Sequence, residues 1–186
     1  MRILAISGSL RDESYNTALA RAAAELAPDG VEIELYGGLA ELPPYDQDLD
    51  EGERETPAAV RDLRNFIEAA DALLFVTPEY NGSIPGVLKN AIDWASARHR
   101  GSSFLNKTVA IAGASTGQYG AIWAQQDLRR VLGISGARVI EGEVPVSAAQ
   151  NAFDEAGRLS DPLVAQRLRA HLEALVSECA PVALVA

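Results

Sequence analysis

Apolar residues fall along this chain in two alternating rhythms. Ile3-Leu4-Ala5-Ile6, Ala72-Leu73-Leu74-Phe75-Val76 and Val109-Ala110-Ile111-Ala112 are apolar throughout, the pattern of strands buried on both faces. Between them apolar residues recur at helical spacing: Ala18, Leu19, Ala22, Ala23 and Leu26, then Val60, Leu63, Phe66, Ile67 and Ala70, then Val87, Leu88, Ala91, Ile92 and Ala95. Pro28-Asp29-Gly30 stops the first of these helices, and Pro57 suits the first residue of the second. A helix over about Ala121 to Leu132, a fifth strand near Arg138-Val139-Ile140 and a last helix carrying Val164, Leu168, Leu172 and Leu175 complete the series. Val31-Glu32-Ile33-Glu34-Leu35 differs, because it alternates strictly and so shows one face to water.

Five strands alternating with five helices predict an α/β fold of three layers, a parallel sheet wrapped on both faces. Right-handed crossovers leave few topologies. The alternating second strand belongs on an edge, which favours the order 2-1-3-4-5. The chain has no internal repeat or linker, so residues 1–186 read as a single domain. Gly37 to Thr56 is a long acidic connection through Leu42-Pro43-Pro44-Tyr45. Loops of that length are usually functional.

In an open parallel sheet, ligands bind beyond the carboxyl ends of the strands where the order reverses, here between strands one and three. The loop leaving strand one reads Gly8-Ser9-Leu10-Arg11-Asp12-Glu13-Ser14-Tyr15-Asn16-Thr17. It combines a glycine, three hydroxyls, an amide and a guanidinium at the start of a helix. A helix N-terminus attracts anions, and Arg11 adds a charge-assisted contact. Plain capping by Ser14 or Asn16 needs one such residue, whereas this loop holds several, so it reads as a phosphate site. The dinucleotide pattern Gly-x-Gly-x-x-Gly is missing, as is the Gly-Lys-Ser/Thr ending of a triphosphate loop. A mononucleotide phosphate fits better.

The loop leaving strand three, Thr77-Pro78-Glu79-Tyr80-Asn81-Gly82-Ser83-Ile84-Pro85-Gly86, has a backbone shaped by two prolines and two glycines. Such a backbone presents N–H and C=O groups to the edge of a planar ring, with Tyr80 beside it and Asn81 in reach of its carbonyls. Lys89, Asn90 and Asp93 interrupt the following apolar helix and read as structural support. The third loop, Gly113 to Gly120, is small and polar and offers Ser115, Thr116 and Gly117 beside the same crevice. The region near Trp94 and the stretch Gln118–Trp123 suit a subunit interface or core packing equally.

Composition removes other classes. At 48% hydrophobic residues the chain is no disordered polymer, and its net charge of -10 with a pI near 4.6 argues against nucleic acid and anionic membrane surfaces. No apolar stretch approaches the roughly 20 residues of a spanning helix. The run after Met1-Arg2 is too short for a signal-peptide core. One cysteine, Cys179, excludes an internal disulfide and fits a reducing, cytoplasmic location. His99, within Arg98-His99-Arg100, and His171 lack metal-ligand spacing. The six acidic residues between Asp46 and Glu55 read as a solvated loop, and the apolar tail Val182–Val185 as docked or disordered. No Gly-x-Ser-x-Gly elbow is present.

Two segments carry a resemblance: Gly8-Ser9-Leu10-Arg11-x-x-Ser14-x-Asn16, and Pro78-Glu79-Tyr80-Asn81-Gly82-Ser83-x-Pro85-Gly86-x-Leu88-Lys89-Asn90-Ala91-x-Asp93-Trp94. Together they resemble the NADPH-dependent FMN reductase family, which includes quinone, chromate and azo-dye reductases. The resemblance runs from Arg2 to about Val146. It implies a flavodoxin-like fold that binds FMN without a covalent bond, usually as a homodimer or homotetramer. It places Ser9, Arg11, Ser14 and Asn16 around the phosphate, with Leu10 and Tyr15 of the same loop also binding the cofactor. Pro78, Glu79, Tyr80, Asn81 and Gly82 would meet the flavin ring, largely through backbone groups. Some relatives have Thr-Ser-Ser where this chain has Gly113-Ala114-Ser115, so backbone contacts are expected from Ser115, Thr116 and Gly117. The activity implied is two-electron transfer from NADPH or NADH, through FMN, to quinones or similar small-molecule acceptors, with no side chain acting as acid or base. Two other readings share the fold: a one-electron carrier, and a flavin-free binding module. Carrier loops usually lack an arginine, and Arg11 with Asn16 points away from them.

Overall fold

The computed structural model describes residues 1–51, 55–96 and 101–179. The expectations for Arg98-His99-Arg100, for part of the acidic run and for Val182–Val185 lie outside these residues. Among the described residues, six strands form one parallel sheet: β1 (Arg2–Ser7), β2 (Glu32–Leu35), β3 (Ala72–Val76), β4 (Thr108–Ala114), β5 (Arg138–Val139) and β6 (Val144–Val146). Their order is β2-β1-β3-β4-β5, with β6 also on β4. The flavodoxin-like order read from the sequence is therefore the observed one, and β2 stands on the edge that its alternation required.

The fifth strand position is a correction. It is split in two, β5 pairing Thr108 and Val109 while β6 pairs Ala112 to Ala114. Gly142, at φ 81°, turns the chain out between them. Arg129 holds the bulge by donating to the carbonyls of Val139, Ile140 and Gly142 and to Glu143 at 2.8 Å.

The helices are α1 (Tyr15–Glu25), α2 (Gln47–Glu51), α3 (Ala58–Ala69), α4 (Gly86–Ala95), α5 (Ile122–Ile134) and α6 (Pro162–Cys179). Pro57 is the cap before α3, at ψ 142°, one position earlier than expected. The long connection is not structureless: it holds a 3-10 turn at Leu39–Glu41 and the short α2. The fully buried Asp50 pairs with Arg64 at 2.8 Å, which ties α2 to α3. Asn90 accepts from Tyr45 N–H and donates to the Pro43 carbonyl, which Trp94 Nε1 also reaches at 2.7 Å. Asn90 is thus structural support, as its place in the helix implied.

Strand alternation divides the core. Leu4, Ile6, Leu73, Phe75, Val109 and Ile111 face α3, α4 and α5. The opposite face mixes Ile3, Leu74 and Val76 with Ala5, Ala72, Ala110, Ala112 and Ala114, against Leu19, Ala20 and Ala23 of α1 and Leu168, Leu172 and Leu175 of α6. The N-terminus of α1 sits by the ends of β1 and β4, where Thr17 meets Ser7 and Asn16 meets Ala114.

Candidate functional site

The first loop is held by its own polar groups. Gly8 N–H donates to Val76 O at 2.8 Å, continuing the β1–β3 ladder. A Cβ at Gly8 would lie 2.9 Å from Leu88 Cδ2 and 3.3 Å from Pro78 Cδ. Gly8 thus leaves room for Leu88 of α4 and for Pro78 of the second loop. Ser14 is the N-cap of α1, its Oγ accepting from Asn16 N–H and Thr17 N–H at 3.2 and 3.3 Å. The capping reading is therefore correct for Ser14, yet its hydroxyl hydrogen stays free to donate. Ser9 Oγ accepts from Arg11 N–H at 3.3 Å. The Arg11 guanidinium lies 5.7 Å above the Tyr15 ring, which stacks on Phe153 at 5.6 Å.

Asn16 joins the first loop to the third. It is buried, donates from Nδ2 to Ala114 O at 3.0 Å and accepts from Ala114 N–H at 2.9 Å. One Nδ2 hydrogen remains for a ligand. The third loop is tied from behind: Ser115 N–H donates to Val146 O at 3.0 Å, and Gly117 N–H to Ser115 Oγ at 3.1 Å. A Cβ at Gly113 would meet Thr77 O at 2.7 Å, so Gly113 lets the second and third loops touch.

In the second loop Tyr80 and Ser83 exchange backbone hydrogen bonds at 3.0 and 3.1 Å around Asn81 (φ 53°) and Gly82 (φ 77°). Both central residues are left-handed, the shape of a tight hairpin turn. Tyr80 is pushed outward and is 54% exposed. The Glu79 carboxylate points away from the crevice and accepts from Trp123 N–H and Ala124 N–H at 3.0 and 3.1 Å. It supplies the cap that Ala121 (φ 60°) cannot give α5.

These loops enclose a cleft of about 200 Å³ lined by Ser9, Arg11, Ser14, Tyr15, Asn16, Pro78, Glu79, Tyr80, Ala114, Ser115 and Thr116. Ten of the residues singled out in the sequence thus meet in one place. Leu10, Asn81, Gly82 and Gly117 are outside its lining, and Leu10 is 50% exposed. Ala114, whose backbone receives Asn16, was missed because an alanine carries no chemical signal. The donor set suits a phosphate: a guanidinium, two hydroxyls, an amide N–H and the Tyr15 N–H at the start of α1, with the one carboxylate turned away. A cleft this size falls short of the roughly 300–1,000 Å³ that encloses a small ligand, so a mononucleotide here keeps one edge open.

A neighbouring hollow of about 530 Å³ shares Arg11, Ser14 and Tyr15. Asp12, Glu13, Asp154 and Glu155 line it against Arg11 and Arg21, so its charge disfavours an anion. No metal-binding group of His, Cys, Asp and Glu occurs among the described residues. His171 is buried on α6 and its Nε2 has no partner among the described residues. Burial pushes its pKa below the usual histidine value, opposed by the Ile111 backbone, with Arg129 adding to the lowering and Glu143 opposing it. No helix among the described residues is long and apolar enough to cross a membrane.

Residues 1–151 match the family described as NADPH-dependent FMN reductase. An NAD(P)H-dependent FMN reductase of Pseudomonas aeruginosa is 46% identical over 176 residues, 94% of this chain and 93% of that protein. A quinone reductase of Pseudomonas putida is 35% identical, covering 96% of this chain and 92% of its own length. Among solved structures, the flavoenzyme NAD(P)H:(acceptor) oxidoreductase of Paracoccus denitrificans superposes with a TM-score of 0.83 at 34% identity, covering 96% of each chain.

Proposed function

Because the chain belongs to the NADPH-dependent FMN reductase family, we propose that it is an FMN-dependent NAD(P)H oxidoreductase that reduces quinones or similar small-molecule acceptors. The observation that carries this reading is the cleft itself: a helix N-terminus with Arg11, Ser9, Ser14 and Asn16 at one end, and the Pro78–Tyr80 backbone at the other.

Arg11, Ser9, Ser14 and Asn16 would hold the phosphate, with the Tyr15 N–H aligned along the α1 dipole. Pro78, Glu79, Tyr80, Asn81 and Gly82 would offer backbone groups to the ring edge, and Ser115, Thr116 and Gly117 would do so from the third loop. FMN held there would supply the redox chemistry, two-electron transfer between NADPH or NADH and the acceptor. The residues bind and orient; none of those lining the cleft is placed as an acid or base. The Glu79 carboxylate, spent on α5, keeps negative charge off the phosphate end. The open edge beside Tyr80 admits donor and acceptor in turn.

We infer that one domain, residues 1–186, carries this activity in the cytoplasm, as its lone cysteine supports. A homodimer or homotetramer is supported by the ring pair Tyr119 and Trp123, 4.7 Å apart and 52% and 47% exposed. The test is a visible spectrum of the purified protein, then NADPH and NADH oxidation with a quinone. A yellow protein with turnover is expected. Bound flavin without turnover would mean an electron carrier, and a colourless protein that takes up no FMN would overturn the site.

A further inference from the structure

We propose that Asp127 is a positioning residue: by holding Ser83 it fixes the Tyr80–Ser83 turn, and with it the backbone that the second loop presents to the cofactor. The proposal rests on the flavin reading above for its consequence, but not for its geometry.

The turn is short of support of its own. One reciprocal pair of backbone hydrogen bonds closes it, Asn81 and Gly82 are both left-handed, and Tyr80, Asn81 and Gly82 are exposed. An isolated hairpin of this kind is marginal in water. Two contacts with α5 hold it instead. Before Tyr80, Glu79 accepts from Trp123 N–H and Ala124 N–H. After it, Ser83 Oγ donates to Asp127 Oδ2 at 2.5 Å. Ala124 and Asp127 are three residues apart on one helix and so share a face. The turn is therefore clamped on both sides of Tyr80 to a single rigid element.

Asp127 is itself fixed. Its Oδ1 accepts from Arg130 Nη2 at 2.6 Å, and Lys89 adds positive charge from α4. The Ser83 hydroxyl first, and Arg130 second, hold its carboxyl below the ordinary value, so it stays an acceptor through the neutral range. Asp127 does not line the cleft. It acts only through Ser83, across 44 residues of sequence.

The test uses Asp127→Ala, Asp127→Asn, Ser83→Ala and the Ser83→Ala/Asp127→Ala pair in the full chain. Two readouts are taken: amide hydrogen exchange at Tyr80 and Ser83 without flavin, and FMN affinity by fluorescence titration. One hydrogen bond to a charged acceptor predicts that Asp127→Ala speeds exchange at both amides by at least about tenfold. FMN affinity should fall by about five- to tenfold. Asp127→Asn keeps an oxygen for Ser83 and should stay within about twofold of the parent. Ser83→Ala should reproduce Asp127→Ala, and the pair should be no worse than either change alone. Unchanged exchange in Asp127→Ala, or effects that add in the pair, would overturn the proposal. If exchange responds as expected while the parent protein takes up no FMN, the clamp stands and the flavin reading falls.

Discussion

Replacing Asn16 by alanine tests the join between the first and third loops, on which the cleft depends. The native amide satisfies both the N–H and the C=O of Ala114, at 2.9 and 3.0 Å, in a position only 4% exposed. Alanine removes both partners at once. A buried polar group left unpaired costs about 1–3 kcal/mol, so the two together give about 2–6 kcal/mol. Asn16 lines an open cleft, and water entering the vacated volume moves the expectation to the lower part of that range, about 2–3 kcal/mol. For a chain of this length that lowers Tm by about 5–10 °C. Urea unfolding of the flavin-free protein measures it directly, because bound cofactor would add its own stabilisation. Asn16→Asp is the informative companion. It keeps an acceptor for Ala114 N–H but sets a carboxylate oxygen against the Ala114 carbonyl, so it should be no better than alanine and should weaken phosphate binding further. A loss below about 0.5 kcal/mol in Asn16→Ala would refute the reasoning and show that the loops are joined by something else.

The other expectations rest on separate parts of the molecule. Arg11→Ala removes the guanidinium on the cleft wall and should weaken FMN binding by about tenfold or more; an unchanged affinity in a fluorescence titration would remove Arg11 from the phosphate site. Gly113→Ala places a Cβ 2.7 Å from Thr77 O and 2.9 Å from Gln125 Nε2, and should cost about 1–3 kcal/mol in urea unfolding; a neutral result would mean that the second and third loops separate freely. His171 has a folded pKa below its unfolded value near 6.5. Between those two values the unfolded chain binds more protons, so stability is present above the upper value and is lost as pH falls through the lower one. His171→Leu should flatten the stability profile as pH falls through and below about 6.5, and an unaltered slope in urea midpoints would assign the acid sensitivity to other groups.

The sheet was legible because its signals are local. A strand buried on both faces has to be apolar throughout, as Ala72–Val76 is, and an edge strand has to alternate, as Glu32–Leu35 does. Those two patterns, taken with right-handed crossovers, favour the order that the sheet has. The split of the last strand was not legible, since Val139, Ile140 and Val144 carry the same apolar signal whether or not the chain leaves the sheet between them. What opens that strand is Arg129, bonded to the carbonyls of Val139, Ile140 and Gly142. No rule of composition links an arginine on α5 to carbonyls 10 to 13 residues later. The start of α3 moved for a simpler reason: Pro57, at ψ 142°, is an extended cap rather than the first helical residue, and Pro85 caps α4 in the same way at ψ 144°.

The site divides along a different line. Its polar residues look alike in the sequence, yet the fold spends them in opposite directions. Ser9, Arg11 and Tyr80 face the cleft, whereas Glu79 turns to α5, Ser83 to Asp127, and Asn16 gives most of its amide to Ala114. The residues turned away from the cleft share one property: each partner is 44 to 98 residues away, on an element brought alongside only by the sheet order. A residue's type shows what it can bond, and topology decides what it does bond. The Glu79 carboxylate, which a motif would count as a cofactor contact, is the clearest instance, since placing its charge beside a phosphate would oppose the binding that Arg11 promotes. Loop residues of such motifs therefore serve the ligand in two ways, by touching it or by making the backbone rigid enough to touch it. Substitutions at Glu79 and Ser83 should accordingly loosen the second loop before they alter any direct contact.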